Sequence, residues 1–149
     1  MLTRFFEEIV PGERTVSRAR TITETDLVLF AAFSGDWYPL HTDRVYAAQS
    51  RFGQRIAHGM LVLSVLTGLV RIEPELVVAF YGLDRVRFVA PTFIGDTLHA
   101  ETEVVAVEDR GERGGLVTWK VEGKKETGET VLAAEMKVLV AKRPPVEGR

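Results

Sequence analysis

The sequence predicts an α+β domain in which one curved antiparallel β-sheet wraps around a central, buried α-helix. Residues 57–71 predict the helix, because their apolar side chains would cover every side of it, as is typical of a helix enclosed by a core. Residues 97–108 alternate between apolar and polar side chains, as expected for a strand with one face against a core. Two more strand-like segments follow, 116–122 and 131–141. An antiparallel sheet with one face covered by the helix suits this order.

The first third of the chain is predicted to hold one strand and two helices. The strand, residues 14–21, follows Pro11-Gly12. Thr23 is a predicted N-cap, because acidic side chains follow it in the first helical turn. Gly35 is predicted to end that helix, where a residue with left-handed backbone is common. A second, short helix is predicted to begin near Thr42-Asp43.

The second half of the chain is predicted to be mostly strands. Residues 76–89 form one long strand or two, and residues 109–115, rich in glycine and charge, form a hairpin loop. The side chains expected on the core face of the alternating strand are Leu98, Ala100, Thr102, Val104 and Ala106. Residues 1–142 are predicted to form a single domain, and residues 143–149 a disordered tail.

The composition disfavours several classes of function. With 149 residues, 46% of them hydrophobic and 27% charged, the chain is expected to be a soluble globular protein. Its formal net charge of −2 and the lack of a basic run disfavour nucleic acid as a partner. The absence of cysteine excludes disulfides and thiolate nucleophiles and fits a cytoplasmic location. The most apolar run, residues 60–70, is too short to span a membrane, so no membrane partner is expected.

The clearest candidate for chemistry is the segment Phe33-Ser34-Gly35-Asp36-Trp37-Tyr38-Pro39-Leu40-His41. A turn at Gly35 and Pro39 would bring the side chains of Asp36 and His41 to one point. A carboxylate and an imidazole are well suited to share one water as proton acceptor and donor near neutral pH. The segment therefore predicts an acid–base centre. The alternative is that Asp36 caps a turn and that His41 is a core histidine satisfied by backbone.

Three segments of the chain form a recognisable set. They are Gly35-Asp36-Trp37-Tyr38-Pro39-Leu40-His41, Ala57-His58-Gly59-Met60-Leu61, and Arg87-Phe88-Val89-Ala90-Pro91-Thr92-Phe93-Ile94-Gly95-Asp96-Thr97-Leu98. In sequence and in order they resemble the MaoC-like, (R)-specific enoyl-CoA hydratases, a branch of the hot-dog fold. The resemblance implies the hot-dog fold and syn addition of water to a 2-enoyl-CoA, or its removal from a 3-hydroxyacyl-CoA. It also implies a homodimer, or a larger oligomer of dimers, with the sheets joined edge to edge.

The resemblance also implies a role for each site residue. Asp36 and His41 would be the catalytic pair, and the N–H of Gly59, at the start of the buried helix, would bind the thioester carbonyl. The implied substrate-binding set is completed by Thr67, Tyr38 and His58. The acyl-CoA thioester is the substrate, and no further cofactor is expected. No metal is expected either, because the three histidines lack a metal-binding spacing and there is no cysteine.

Several alternatives stay open on the sequence alone. Tyr38 stands where the family commonly has Asn, which leaves the shape of the acyl pocket open. Thr67 could instead bond back into its own helix, and His58 could simply set the helix start. The alternative functions are an acyl-CoA thioesterase and a non-catalytic acyl-CoA-binding subunit. The thioesterase is disfavoured, because hot-dog thioesterases generally carry a carboxylate on the central helix and residues 57–70 have none.

Overall fold

The computed structural model describes residues 2–145, which form an antiparallel sheet and four α-helices. The strands are β1 (Arg14–Val16), β2 (Arg20–Thr21), β3 (Val77–Phe88), β4 (Thr97–Asp109), β5 (Gly115–Lys125) and β6 (Thr130–Val140). The helices are α1 (Glu24–Ser34), α2 (Pro39–Thr42), α3 (Arg44–Ala48) and α4 (Gly59–Leu69). Single 3₁₀ turns occur at Phe6–Glu8, Pro74–Leu76 and Gly111–Arg113. The strand order is β1-β4-β5-β6-β3, and β2 also pairs with β4.

The central helix α4 packs on one face of this sheet, as the sequence predicts. The buried apolar cluster contains Leu61, Val62, Leu66 and Leu69 of α4 together with Leu98, Ala100, Leu132 and Ala134 of the sheet. The helix comes very close to β5 at Gly123, where a Cβ atom would lie 2.2 Å from a δ-carbon of Leu66. A curved antiparallel sheet around one helix is the hot-dog fold.

The prediction that α4 is buried on every side is wrong for the single chain. Met60 is 56% exposed, and Ser64 and Gly68 are also exposed. These three residues are spaced by four, so they form one stripe along the helix. The helix is therefore enclosed on the side that faces the sheet and open on the opposite side.

The N-terminal segment covers the rest of the same sheet face. Leu2 and Ile9 join Trp119 and Met136 in a second apolar cluster. Buried positions alternate along β6 from Leu132 to Val140, so both clusters lie on one face of the sheet. Glycine is needed at position 115, because a Cβ there would lie 2.1 Å from the ring of Phe6. Helix α4 and the N-terminal segment thus divide the concave face between them.

The predicted strand 14–21 is wrong as a single element. Three residues, 17–19, connect β1 to β2 and lie opposite only two residues of β4. Ser17 satisfies both backbone groups of Ala100 at this point. Its backbone N–H donates to the Ala100 carbonyl (2.8 Å), and its Oγ accepts the Ala100 N–H (2.9 Å). A β-bulge of this kind, which side-chain periodicity does not indicate, divides the strand into β1 and β2.

A second bulge changes which side chains of β4 are buried. The alternation predicted for this strand holds from Leu98 to Val104, where every second side chain is buried. The register against β5 then shifts by one residue between Val104 and Ala106. Ala106 is therefore exposed, and Val107 packs against the second cluster instead. The predicted place of Ala106 on the core face is wrong, because a one-residue insertion exchanges the two faces of a strand.

The helix boundaries follow local signals. Thr23 and Asp26 form a capping box, in which the Thr23 Oγ1 accepts the Asp26 N–H (3.3 Å) and the Asp26 carboxylate accepts the Thr23 N–H (2.7 Å). Gly35 ends α1 with φ = 78°, and the Asp43 carboxylate caps α3 by accepting two backbone N–H groups. Helix α2, which the sequence did not indicate, begins at Pro39. No helix in the described part of the chain is long and apolar enough to cross a membrane.

The C-terminal end of the described chain contacts the domain. Arg143 forms an ion pair with Glu8 (2.9 Å), and Lys142 forms one with Asp109 (2.7 Å). The rest of the predicted tail, residues 146–149, lies outside the described residues.

Replacing Gly123 by alanine tests the close approach of α4 to the sheet. The new Cβ would lie 2.2 Å from Leu66, so we expect overpacking to lower the free energy of unfolding by about 1–3 kcal/mol. Urea unfolding followed by far-UV circular dichroism measures this change. Gly82→Ala in β3 is the matched control, because a Cβ there meets nothing within 4 Å. Equal stability of the two variants would contradict the packing described.

Candidate active site

Three side chains predicted for the site come together between the end of α1 and the start of α4. One carboxylate oxygen of Asp36 and one ring nitrogen each of His41 and His58 lie within 4.8 Å of one another. A water that accepts or donates hydrogen bonds of about 2.8 Å on both sides can link groups about 4–5 Å apart. The cluster therefore has the size that a shared water requires.

The backbone after α1 positions Asp36. Left-handed Gly35 ends the helix, and the Asp36 N–H then donates to the Ser34 hydroxyl (3.2 Å). The Asp36 Oδ1 accepts the Tyr38 N–H (3.2 Å), which closes a turn typical of aspartate. Asp36 can therefore close this turn and still act as an acid–base group, because its carboxylate has further lone pairs that can accept a hydrogen bond from water.

His41 is oriented by a backbone carbonyl of the segment that precedes α4. Its Nδ1 lies 2.8 Å from the Ile56 oxygen. A carbonyl only accepts hydrogen bonds, so Nδ1 carries the proton and neutral His41 presents an unprotonated Nε2. His41 is half-buried, and it lines the cavity next to the start of α4. The ring therefore offers a base on the cavity wall.

His58 holds the two other residues in place. It is 2% exposed, and its ring stacks on that of His41 with centroids 4.0 Å apart and an interplanar angle of 29°. Its Nε2–H donates to the backbone carbonyl of Asp36 (3.0 Å). The imidazole thus links the loop that carries Asp36 to the first turn of α4.

Burial favours the neutral form of His58. Desolvation lowers the pKa of His58 and the nearby His41 lowers it further, whereas the hydrogen bond to the Asp36 carbonyl and the charge of the Asp36 carboxylate oppose this change without reversing it. The Nδ1 atom is buried and has no hydrogen-bond partner among the described residues. A proton added to Nδ1 would have no hydrogen-bond acceptor, which also lowers the pKa of His58.

A cavity of about 250 Å³ opens beside the cluster. His41 and Gly59 line it, and most of the remaining wall is apolar, including Val62, Phe88 and Val131. The N–H of Gly59 belongs to the first turn of α4 and forms no hydrogen bond with any described residue. A Cβ at position 59 would lie 3.0 Å from the Phe88 ring, so glycine lets this ring pack against the helix start.

Four predicted site residues do not line the cavity. Asp36, whose side chain is exposed, and buried His58 belong to the cluster beside it, and Thr67 and Tyr38 lie outside the cluster. The Thr67 hydroxyl donates to the Leu63 carbonyl (2.9 Å) within its own helix, and eight residues of α4 separate it from Gly59 by about 12 Å. Tyr38 does not line the cavity but contacts His41 edge-on, with ring centroids 6.0 Å apart. On its other side Tyr38 approaches Tyr46, with centroids 6.4 Å apart. Tyr38 therefore contacts the cluster at two points, with its ring at His41 and with its backbone N–H at Asp36.

Sequence reasoning missed two features of the site. The Ile56 carbonyl is a backbone group, so the side-chain pattern carries no signal for it. Arg51 and Phe52, in the connection between α3 and α4, also line the cavity. An arginine next to an aromatic residue just before the Ala57-His58-Gly59 segment was the available signal.

Asp36, His41 and His58 are also the residues that could hold a divalent ion. Each imidazole already donates one N–H to a carbonyl, which is common among metal ligands. The two rings are stacked with centroids 4.0 Å apart and planes at 29°, however, and an imidazole lone pair lies in its ring plane, so the two rings do not direct lone pairs to one nearby point. This donor set fits a shared water better than a metal ion.

Known proteins resemble this chain in sequence and in fold. Residues 6–127 match the family described as MaoC like domain. Protein MaoC of Klebsiella aerogenes is 43% identical over 96 residues, which cover 64% of this chain and 29% of that protein. An (R)-specific enoyl-CoA hydratase of Rhodospirillum rubrum is 36% identical over 107 residues, which cover 72% of this chain and 74% of the enzyme. The X-ray structure of a monoamine oxidase regulatory protein from Archaeoglobus fulgius is 43% identical, with a TM-score of 0.89 over 97% of this chain and 100% of that one.

The lowered pKa of His58 predicts a loss of stability in mild acid. Below the usual histidine pKa of about 6.5 the unfolded chain binds a proton that folded His58 resists, so stability rises with pH across this range. We expect the urea midpoint to decrease when the pH is lowered from 7.5 to 5.5. In His58→Gln this dependence of the midpoint on pH should be weaker. An NMR titration that gives His58 a pKa at or above 6.5 would contradict the assignment, even if His58→Gln does not fold.

Proposed function

The chain belongs to the MaoC-like domain family, and we propose that it is an (R)-specific 2-enoyl-CoA hydratase that also catalyses the reverse dehydration of 3-hydroxyacyl-CoA. The observation that carries the proposal is the pair Asp36 and His41, whose functional atoms lie within 4.8 Å of each other, with His41 on the wall of an apolar cavity. A relative over comparable length is named as a hydratase of this kind.

The reaction needs a water that loses a proton while its oxygen bonds to Cβ, and a proton that arrives at Cα. Asp36 offers a carboxylate and His41 an unprotonated Nε2, and one water can contact both. One of the two groups accepts the proton from the water, and the pair returns a proton to Cα on the same face of the double bond. The net result is syn addition of water, and the reverse sequence removes it. The two groups act as a unit, so neither is assigned a single role.

Charge that develops on the thioester oxygen needs a hydrogen-bond donor. The free N–H of Gly59 lies at the first turn of α4, where the partial positive charge of a helix N-terminus adds to the attraction. The same residue lines the cavity with His41. In this arrangement the thioester carbonyl bonds to Gly59 and the acyl chain extends along the apolar wall.

The two alternative functions have weaker support. A thioesterase that uses a carboxylate of the central helix finds none, because α4 contains no Asp or Glu. A non-catalytic, acyl-CoA-binding role has one argument for it, since one of the relatives of known structure is named a regulatory protein. Release of free thiol from acyl-CoA would favour the thioesterase. Binding of acyl-CoA without turnover of any 2-enoyl thioester would favour the non-catalytic role.

Substituting the pair tests the hydratase proposal. Asp36→Asn and His41→Ala should each lower kcat by about 10²–10⁴-fold, the usual worth of a group in proton transfer. The assay follows the loss of 2-enoyl thioester absorbance with crotonyl-CoA. Asp109→Asn, an exposed aspartate on the β4–β5 hairpin, is the matched control and should keep full activity. Unchanged activity in both site variants would exclude these residues as the catalytic pair.

A second copy of the chain is the proposed protein partner. Strand β3 is an edge strand whose only neighbour among the described strands is β6. It exposes Val78, Phe80 and Tyr81 by 53%, 51% and 64%. An exposed apolar edge strand is a ready template for further strand pairing. Two copies joined along β3 would cover these side chains and extend the sheet across the pair.

Charges placed on this edge should separate the two copies. The double variant Val78→Glu/Tyr81→Glu is expected to be monomeric by size-exclusion chromatography with light scattering, whereas the unmodified chain is dimeric. The control Val105→Glu, at a 45% exposed position on β4, should stay dimeric. A monomeric unmodified chain, or a dimeric double variant, would contradict pairing along β3.

A further inference from the structure

The cavity that contains His41 also contains a cation with no counter-charge. Arg51 and Phe52 belong to the connection between α3 and α4, and both line the cavity. The guanidinium carbon of Arg51 lies 4.8 Å from the centroid of the Phe52 ring. Neither residue takes part in the water chemistry proposed for Asp36 and His41, so their presence there calls for a separate explanation.

The charge of Arg51 is not neutralised by the protein. The nearby Arg55 is paired with Glu24 (2.7 Å), and its side chain is only 16% exposed. Arg51, by contrast, has no carboxylate of residues 2–145 within ion-pair distance. No acidic side chain of the described chain lines the cavity, whose polar side chains are those of His41, Thr92 and Arg51 itself. An anion that enters the cavity would therefore meet Arg51 with no carboxylate on the cavity wall itself, because the Asp36 carboxylate lies in the cluster beside the cavity.

The contact with Phe52 prepares the guanidinium for an anion. An arginine that lies over an aromatic ring is held by cation–π attraction, and its N–H edge stays free. A planar guanidinium offers two parallel N–H donors, which match the spacing of oxygens in a carboxylate or a phosphate. Less side-chain freedom is then lost on binding, so the hydrogen bonds contribute more to affinity.

We propose that Arg51 binds an anionic group of the acyl-thioester substrate, through two charge-assisted hydrogen bonds from its guanidinium. The inference rests on the proposed function. The shared chemistry is an oxyanion that reaches the same cavity as His41. Two parts of a thioester can supply it: a phosphate of the CoA carrier, or a carboxylate at the far end of the acyl chain.

Three substrates separate these two sources. Crotonyl-CoA carries the phosphates, crotonyl-pantetheine carries neither anion, and 4-carboxybut-2-enoyl-CoA carries both. The variants are Arg51→Gln, Arg51→Lys and, as the matched control, Arg113→Gln, an exposed arginine on the β4–β5 hairpin outside the cavity. KM and kcat are measured for each pair of substrate and variant.

The expected effect of Arg51→Gln is a rise of about 10-fold or more in KM with little change in kcat, because a lost charge-assisted hydrogen bond weakens binding before it affects the chemistry. If the anion is a phosphate, KM rises for both CoA substrates and stays constant for crotonyl-pantetheine. If it is the carboxylate, KM rises for 4-carboxybut-2-enoyl-CoA alone. Arg51→Lys should recover part of the loss, and Arg113→Gln should change nothing.

Equal KM values in the unmodified protein and Arg51→Gln for all three substrates would overturn the inference while leaving the proposed function intact. If the unmodified protein turns over none of the three substrates, the proposed function fails, and the inference about Arg51 is then tested by ligand affinity alone. The Kd values of butyryl-CoA, butyryl-pantetheine and glutaryl-CoA are then compared by titration calorimetry. A Kd for either CoA ligand that is about 10-fold weaker in Arg51→Gln supports anion binding at Arg51, and unchanged Kd values exclude it.

Discussion

The close approach of α4 to β5 is the constraint on which the rest of the molecule depends. A Cβ at Gly123 would lie 2.2 Å from Leu66, so only glycine lets the helix pack this close to the sheet. The approach is repeated at the first residue of α4, where Gly59 packs against the ring of Phe88. A side chain at either glycine would lift the helix and, with it, the N–H groups of its first turn that border the cavity.

The position of α4 also decides what His58 can do. As the residue before the helix, His58 is carried into the core, where its ring is 2% exposed. From there it donates to the Asp36 carbonyl and stacks on His41. The buried imidazole of His58 thus links two segments of the site, while the less buried His41 keeps a free Nε2, on which the proposed water chemistry relies. Two histidines of the same intrinsic chemistry differ in this way because their burial and hydrogen bonds differ.

Most correct predictions depended on residues close together in sequence. The cap at Thr23, the left-handed end of α1 at Gly35 and the start of α3 next to Asp43 each involve neighbours within four positions. The errors fall where distant segments meet. The bulge that exposes Ala106 is a property of the register between β4 and β5. The stripe of α4 that includes Met60 is open because the sheet covers only one side of the helix, and apolar composition does not reveal which side.

The sequence by itself determined the architecture and the candidate chemistry, because the apolar patterns and the motif around Asp36 and His41 are local and specific to residue type. Only the tertiary structure decided how those groups are used. It brings the Ile56 carbonyl to His41 across fifteen residues, which selects the ring nitrogen that stays free. It also brings Arg51 into the same cavity while leaving Thr67 bonded within its own helix. Hydrogen-bond partners and cavity walls come from segments far apart in the chain, so packing, and not residue type, determines them.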